Sequence, residues 1–390
     1  MKTDYETIVL GCGGIGAAAL YWLARRAGGD VLGLEQFALF HHNGGSQDHS
    51  RIIRLSYHRE DYARLALHAY DAWATVAEES AVQVVTQTGE VLLAYRDSEH
   101  HAIFDQHVTT MERVGIACER FGNDELRYRY PQFVPQGEVD VLYQAQSGIA
   151  SPAKGNAAHI ALARGYGATV LEHCPATALV PTTDGVTVVT TQGNFTCRRL
   201  IVTAGAWLNN LLASVGMTLP LTVSQEQVTY YATPYLKEFA IGRFPVFRWK
   251  DAVSYYGFPV YGEVATKAAI DAVGATVTAE TRSFDANPAI ERQLDEFIAP
   301  RLPRFVGPKL YTKTCLYTMA PDRDFILDRL PEYPQIAVVV GDGHAYKFAS
   351  IMGKILSELA IDGATAYDIA PYSLQRPALA APPPRLRKRL

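Results

Sequence analysis

The sequence predicts an α/β fold in which an antiparallel β-sheet with its own helices is inserted into a parallel-sheet domain. Three observations carry that expectation. The first is a short apolar strand at 8–10 that runs into Gly11-Cys12-Gly13-Gly14-Ile15-Gly16, followed by a helix over 17–26 and a second apolar strand, 31–34, ending on Glu35. The second is the return of short, apolar strands in the middle and near the end of the chain, at 194–203 and Ile336–Val340, each leading into a turn of small residues. The third is a change of texture between Leu219 and Phe258, where the strands alternate and are rich in aromatic residues, as in an antiparallel sheet.

Taken in order, the first unit has a G-x-G-x-x-G spacing. Gly11 permits the tight turn, Gly13 lets the backbone approach a pyrophosphate, and Gly16 allows close packing of helix on strand. Gly14 and Ile15 complete the turn, and the helix N-terminus faces the phosphates. Glu35, with Gln36 beside it, stands at the spacing of a carboxylate that binds a ribose hydroxyl, and its charge disfavours a 2′-phosphate. Strand, turn, helix and acid together mark a Rossmann-like dinucleotide site.

A polar loop, 41–50, ends on Arg51-Ile52-Ile53-Arg54. Leaving the second strand, it can cross over the cofactor. No metal-ligand pattern surrounds His41-His42, so the pair reads as solvated loop. Residues 62–78 form an amphipathic helix with Tyr62, Leu65, Ala69, Trp73 and Val76 on one face. Strand-like pieces at 82–85 and Glu90–Tyr95, a helix over 102–114 and a strand at 139–143 follow. Ser151-Pro152 supplies the N-cap and first position of a helix to about 164. A strand at 168–172 and a hairpin around Gln192-Gly193 come next. The hairpin ends in Ala204-Gly205-Ala206-Trp207, where a backbone can pass close to a nucleotide. In the aromatic region strands are expected at 227–232, 244–249 and Ser254–Phe258, and Lys267 ends the next strand-like piece. Asn287-Pro288 starts a helix through Ile298, and the strand 311–317 contains Cys315. Ile336–Val340 leads into Gly341-Asp342-Gly343-His344 and a helix over 346–360. The dinucleotide domain is therefore assembled from 1–85, 145–218 and 320–375, and the second domain from 86–144 and 219–319. The tail, 376–390, reads as flexible.

Composition narrows the function classes. A chain of 390 residues, 48% hydrophobic and 19% charged, suits a globular enzyme with ample core. A net charge of −4 gives no reason to expect nucleic acid or an anionic membrane, and no apolar run is long enough to span a bilayer. The N-terminus enters the first strand directly, so no cleavable signal is expected. The five cysteines are scattered and form no C-x-x-C pair, which argues against a disulfide framework and against a zinc site; no metal is expected. A reducing, cytoplasmic setting fits. Lys388-Arg389-Leu390 is only a faint peroxisomal address, because its first residue is not small.

The glycine motif with Glu35, the run Ser50-Arg51-Ile52-Ile53-Arg54, Tyr255-Tyr256-Gly257-Phe258-Pro259, Cys315, and Gly343-His344-Ala345-Tyr346-Lys347-Phe348 together resemble the monomeric sarcosine oxidase family, which includes N-methyltryptophan and pipecolate oxidases. The resemblance covers the chain in order, apart from the tail. It implies a D-amino-acid-oxidase-like fold with a Rossmann-like FAD-binding domain and an inserted antiparallel β-sheet plus helices as substrate domain. It implies FAD joined through its 8α-methyl to the sulfur of Cys315, in a monomer. The implied reaction oxidises a secondary amine beside a carboxylate, with O2 reduced to hydrogen peroxide. The implied cofactor-binding residues are Gly11, Gly13, Gly14, Ile15, Gly16, Glu35, Gln36, Ser50, Arg51, Gly205, Trp207, Cys315, Gly343, His344 and Lys347. Arg51 matches an arginine packed beside the flavin. Arg54 matches one that grips the substrate carboxylate with help from Lys347, and a planar guanidinium suits that task. Lys267 matches the lysine that activates O2 from the other flavin face, where a fixed cation stabilises the developing negative charge. Tyr256, Tyr317 and His344 match positions that line the pocket.

The departures from the family pattern bear on the substrate. Asp271 stands where sarcosine oxidases tend to have histidine, four residues after Lys267. The loop before Arg51 reads Gln47-Asp48-His49 in place of the usual His-Gly pair, and Ala345 replaces a common glycine. Asp271 is either a pocket residue near the Arg54 and Lys347 cations or a solvent-facing turn residue. In the pocket it favours an amine other than sarcosine, either cyclic or carrying a larger side chain. A flavin dehydrogenase with another electron acceptor is the alternative within the fold. A non-catalytic dinucleotide-binding protein is the alternative outside it. An NAD dehydrogenase is weaker, since it has no use for Cys315.

Overall fold

In the computed structural model, residues 2–380 are described. Of the tail, Pro377–Ala380 is a short helix. Residues 381–390, with Lys388-Arg389-Leu390, lie outside the described residues, and so does most of the expected flexible segment.

Asp4–Leu10 runs parallel to Val31–Leu34 on one side and to Gly193–Val202 on the other. Thr169–Leu171 and Ile336–Val340 extend the parallel core outward. Ala176–Pro181, Val186–Thr190 and Ile326–Arg329 add antiparallel strands, making eight in all. The central strands are buried on both faces, which is why they read as unbroken apolar runs. Helices Gly14–Ala27, Pro152–Gly165 and Ala349–Ile361 pack together over the sheet through one apolar cluster that includes Leu20, Ile160 and Ile351. At Gly16 a Cβ would stand 1.8 Å from the Gly11 carbonyl oxygen, so only glycine lets this helix close on its strand.

The second sheet has nine strands, in the order Ala275–Thr276, Thr222–Tyr231, Thr266–Ile270, Ser254–Phe258, Val246–Lys250, Glu90–Tyr95, Val139–Gln144 and Glu119–Phe121, with Lys309–Met319 also pairing to Thr222–Tyr231. It is antiparallel except where Val246–Lys250 meets Glu90–Tyr95, which run parallel. Those two strands come from separate passages of the chain, so no hairpin forces them to run in opposite directions. Its apolar face packs on Pro288–Arg301 through Trp249, Phe247, Phe297 and Phe305. Asn287 caps that helix by accepting the Ala289 N–H at 2.9 Å.

Several boundaries differ from the sequence expectation. The strand containing Lys267 runs Thr266–Ile270, so the lysine stands second rather than last. A charge looks like a strand end in sequence, but this one is paired inside the protein. The piece expected at 82–85 is Val85–Gln87, and the one expected at 227–232 is Thr222–Tyr231. The last long helix begins with a 3-10 turn, Tyr346–Phe348, before Ala349–Ile361. A third sheet, not foreseen, pairs Arg51–Ile53 and Val85–Gln87 with Gly148–Ala150 and fixes the segment between the two arginines.

Candidate active site

Two cavities, of about 430 and 470 Å³, meet at Gly13, Ser46, Thr203 and Gly205. The smaller is lined by Gly11, Gly13, Glu35, Gln36 and Trp207. Glu35 is 3% exposed. Its two carboxylate oxygens accept the Cys12 N–H at 2.8 Å and the Phe37 N–H at 3.0 Å. Burial would push its carboxyl pKa up, but His41 and these two N–H groups hold it below the ordinary value. His41, expected to be solvated loop, thus lies 3.5 Å from Glu35. The helix Gly14–Ala27 starts with no side-chain cap and no acid in its first turn, so its first N–H groups are left for an anion. A glycine cradle, an uncapped helix and a buried carboxylate fit a dinucleotide with a diphosphate and a ribose diol.

The larger cavity gathers residues from distant parts of the chain: Gly14, Ile15, Ser50, Arg51, Arg54, Gly205, Trp207, Tyr256, Lys267, Asp271, Tyr317, Gly343, His344 and Lys347 all line it. Gly16 does not, being sealed between helix and strand. Cys315 lines neither cavity, although its neighbours Leu316 and Tyr317 line this one. It is 6% exposed and shares a strand face with Tyr317, two residues on. Burial pushes the Cys315 thiol up, and Arg51 opposes that shift. Gly343 has φ 73°, and a Cβ there would stand 2.2 Å from the Tyr317 ring, so glycine keeps that ring in place.

The cations fall into two groups. In the first, Lys267 Nζ lies 2.7 Å from Asp48 Oδ2 and donates to the Ser50 carbonyl at 2.9 Å. Arg51 reaches the same carboxylate at 3.4 Å, Lys313 approaches its other oxygen at 3.4 Å, and the Tyr230 hydroxyl donates to it at 2.6 Å. Burial lowers the Lys267 ammonium to about 8 against the pull of Asp48. Burial works to raise the Asp48 carboxyl, but Lys267 and Arg51 hold it far below its ordinary range. Asp48 has φ 94°, a region that favours glycine, and its ion pairs offset that cost. The unusual loop sequence therefore supplies Lys267 with a buried counter-ion, which sequence reading did not find.

In the second group, Arg54 donates to the Ser56 carbonyl and lies 4.1 Å over the Tyr57 ring. Lys347 donates to the His344 carbonyl at 2.7 Å. Burial lowers the Lys347 ammonium well below its ordinary value, and Arg54 and Arg248 lower it further. Neither Arg54 nor Lys347 has a carboxylate partner among the described residues. The His344 ring lies tilted against Phe325 with centroids 4.6 Å apart, and its Nδ1 is buried with no partner among the described residues. Burial, then Lys347 and Arg323, push its pKa far down, so the imidazole is neutral.

Asp271 lines the cavity rather than facing bulk solvent, with its side chain 35% exposed. Its partner is Arg323 at 3.4 Å, not Arg54 or Lys347. Arg323, Arg248 and Lys250 are lining residues that sequence reading missed. For the last two a signal existed: Arg248 alternates with core residues Phe247 and Trp249 in the strand expected at 244–249, and Lys250, one residue past that expected end, continues the alternation.

A family model for DAO, FAD dependent oxidoreductase, matches residues 6–359. Monomeric sarcosine oxidase of Bacillus sp. (strain NS-129) is 31% identical over 384 residues, which are 97% of this chain and 98% of that one. N-methyl-L-tryptophan oxidase of Yersinia pestis (strain Pestoides F) is 30% identical over 380 residues, 96% and 99% of the two chains. Among solved structures the chain is similar in fold to NikD, an unusual amino acid oxidase essential for nikkomycin biosynthesis, with a TM-score of 0.83, 23% identity, and 96% and 98% of the chains covered. No helix among the described residues is long and apolar enough to cross a membrane.

Proposed function

The chain belongs to the DAO family of FAD-dependent oxidoreductases and, within it, to the monomeric sarcosine oxidase group, and we propose that it oxidises a secondary α-amino acid, N-methyl or cyclic, to the imine, with O2 reduced to H2O2. The observation that carries this reading is the pair of cation groups on one cavity: Arg54 and Lys347, which have no acid partner among the described residues, and Lys267 in a separate buried cluster. FAD, when bound, takes up the two electrons of the C–N oxidation and delivers them to O2. Gly13, Gly14, Glu35 and Arg51 would hold it. Arg54 and Lys347 clamp the substrate carboxylate and so fix the orientation of the carbon to be oxidised. Their charge, with that of Arg248, also repels an ammonium, which lowers the substrate amine's pKa and favours its neutral, reactive form. Tyr256 and Tyr317 wall the pocket and exclude water. The chain acts as a monomer, in the cytoplasm, where its five free cysteines stay reduced.

Anaerobic addition of N-methyl and cyclic amino acids should bleach the flavin absorbance, and readmitted air should restore it with stoichiometric peroxide. If no secondary amine bleaches the flavin, the reading fails. If bleaching occurs but air does not restore the colour, the enzyme is a dehydrogenase.

The 8α-S-cysteinyl link at Cys315 belongs to the same proposal. It is supported by the sulfur's place beside the cavity-lining Leu316 and Tyr317 and by Arg51, which favours a thiolate. Acid precipitation of the wild-type protein should leave a yellow pellet, whereas Cys315→Ala should release its flavin to the supernatant. Wild-type flavin that is freely released by acid would remove the link and leave the fold assignment standing.

A further inference from the structure

We propose that the substrate carries a second carboxylate, bound by Arg248 and Lys250, so that the preferred substrates are secondary amino dicarboxylates. This rests on reading the site as that of an amine oxidase. Arg248 and Lys250 are two residues apart on Val246–Lys250 and project from the same face. In register they stand opposite Tyr256 and Ser254, and all four line the larger cavity. On the other face Phe247 and Trp249 go into the aromatic core, which fixes the direction of the pair.

Their hydrogen bonding is incomplete. Arg248 gives Nε to Glu90 Oε1 at 2.5 Å and Nη2 to the Ser56 hydroxyl at 2.7 Å. Its Nη1 has no partner among the described residues, and neither does Lys250 Nζ. Glu90 is already shared with the Ser56 hydroxyl at 2.6 Å. Asp271, the acid on this side, pairs with Arg323. The α-carboxylate engages Arg54 and Lys347, which leaves a guanidinium edge and an ammonium facing the same cavity. Arg248 is ion-paired with Glu90 but keeps a free Nη1 edge, and Lys250 has no acid partner among the described residues; an unpaired charge with little solvent is costly, and one more carboxylate would engage both. Burial, and then the neighbouring Arg248 and Arg54 cations, lowers the Lys250 ammonium to about 7. A purely aliphatic or aromatic side chain would leave that charge unanswered.

The test uses the flavin-loaded full chain with N-methyl-L-glutamate and its neutral isostere N-methyl-L-glutamine. Wild type should show a kcat/KM at least tenfold higher for the dicarboxylate. Lys250→Met should lower that value at least tenfold more than the value for the isostere, and Lys250→Arg should restore most of the preference. A second measurement needs no turnover: glutarate and its monoamide are titrated while the flavin spectrum is followed. Glutarate should bind at least tenfold more tightly to wild type, and the advantage should vanish in Lys250→Met. Equal handling of the two amines by wild type overturns the proposal, as does a Lys250→Met loss of equal size for both. If no amine reduces the flavin, the oxidase reading fails, and the glutarate comparison alone then decides whether the second carboxylate site exists.

Discussion

Lys267→Met should slow reoxidation of the reduced flavin by O2 by on the order of 10²–10³-fold, the scale of removing one fixed charge-stabilising group from an active site. Reduction by substrate under anaerobic conditions should change little, because Lys267 belongs to the Asp48 cluster and not to the group around Arg54. Methionine keeps the length of the side chain, so packing against Phe258 is a small term. The effect of the cation depends on its staying charged. Three cations, Lys267, Arg51 and Lys313, share the single carboxylate of Asp48, so the cluster remains positive despite the ion pair. Lys267 titrates at about 8, and its charged form is the one below that value. The oxygen rate constant should therefore be high at pH 6–7 and fall as pH rises through about 8. The reductive step should move the opposite way, rising as the substrate amine loses its proton. Stopped-flow measurement of the two steps separates them. A variant that cripples reduction while sparing reoxidation would move Lys267 to the substrate side.

The dinucleotide end of this site was legible because its physics is local. The spacing of Gly11, Gly13, Gly16 and Glu35 is set by one turn, one helix and one strand, and Gly11 and Gly16 are each required by backbone that a Cβ would meet, at Thr203 and at Gly11. Ser254–Phe258 and Ile336–Val340 were legible for a related reason, since a strand buried on one or both faces declares itself by its apolar pattern. The charges around the substrate were not legible in the same way. Asp48 and Lys267 are far apart in sequence, and only the fold brings the loop after the second strand against Thr266–Ile270. In sequence Asp48 is one polar residue in a polar loop, and its φ of 94° has no sequence signature when glycine is absent. Asp271 was singled out by its position four residues after Lys267, and strand alternation does put both on the cavity side, but its pairing with Arg323 depends on a turn beyond Lys309–Met319. Arg248 sits in the strand expected at 244–249, and Lys250 lies one residue past its expected end, inside the observed Val246–Lys250. They were passed over because an alternating strand with charges on one face ordinarily turns those charges to solvent, and here that face is roofed by a cavity.

Arg54→Ala should raise the KM for every α-carboxylate substrate by roughly tenfold to hundredfold, the loss of a charge-assisted hydrogen bond of about 1.5–3 kcal/mol. Lys347→Met should do the same on a similar scale. The two losses should not add, because both groups hold one carboxylate. The structure makes this a clean test of binding. Arg54 has no ion pair with an acid among the described residues, and Glu90 keeps Arg248 when Arg54 is removed; what is given up is a hydrogen bond to the Ser56 carbonyl, the stacking over Tyr57 and a longer-range attraction to Glu90. Lys347 likewise gives up one hydrogen bond, to the His344 carbonyl, and longer-range attraction to Asp271 and Glu90. Removing either one relieves like-charge repulsion among Arg54, Arg248 and Lys347 but also gives up attraction to Glu90, so stability should change little while binding falls. Arg54→Lys should recover only part of the loss, since an ammonium cannot reproduce the two parallel bonds of a guanidinium. The measurement is steady-state kinetics with a secondary amino acid and with its α-amide, run beside thermal unfolding of each variant. Wild type should strongly prefer the acid, and Arg54→Ala should erase most of that preference. Equal turnover of acid and amide by the wild-type protein would show that Arg54 and Lys347 hold something other than the substrate carboxylate.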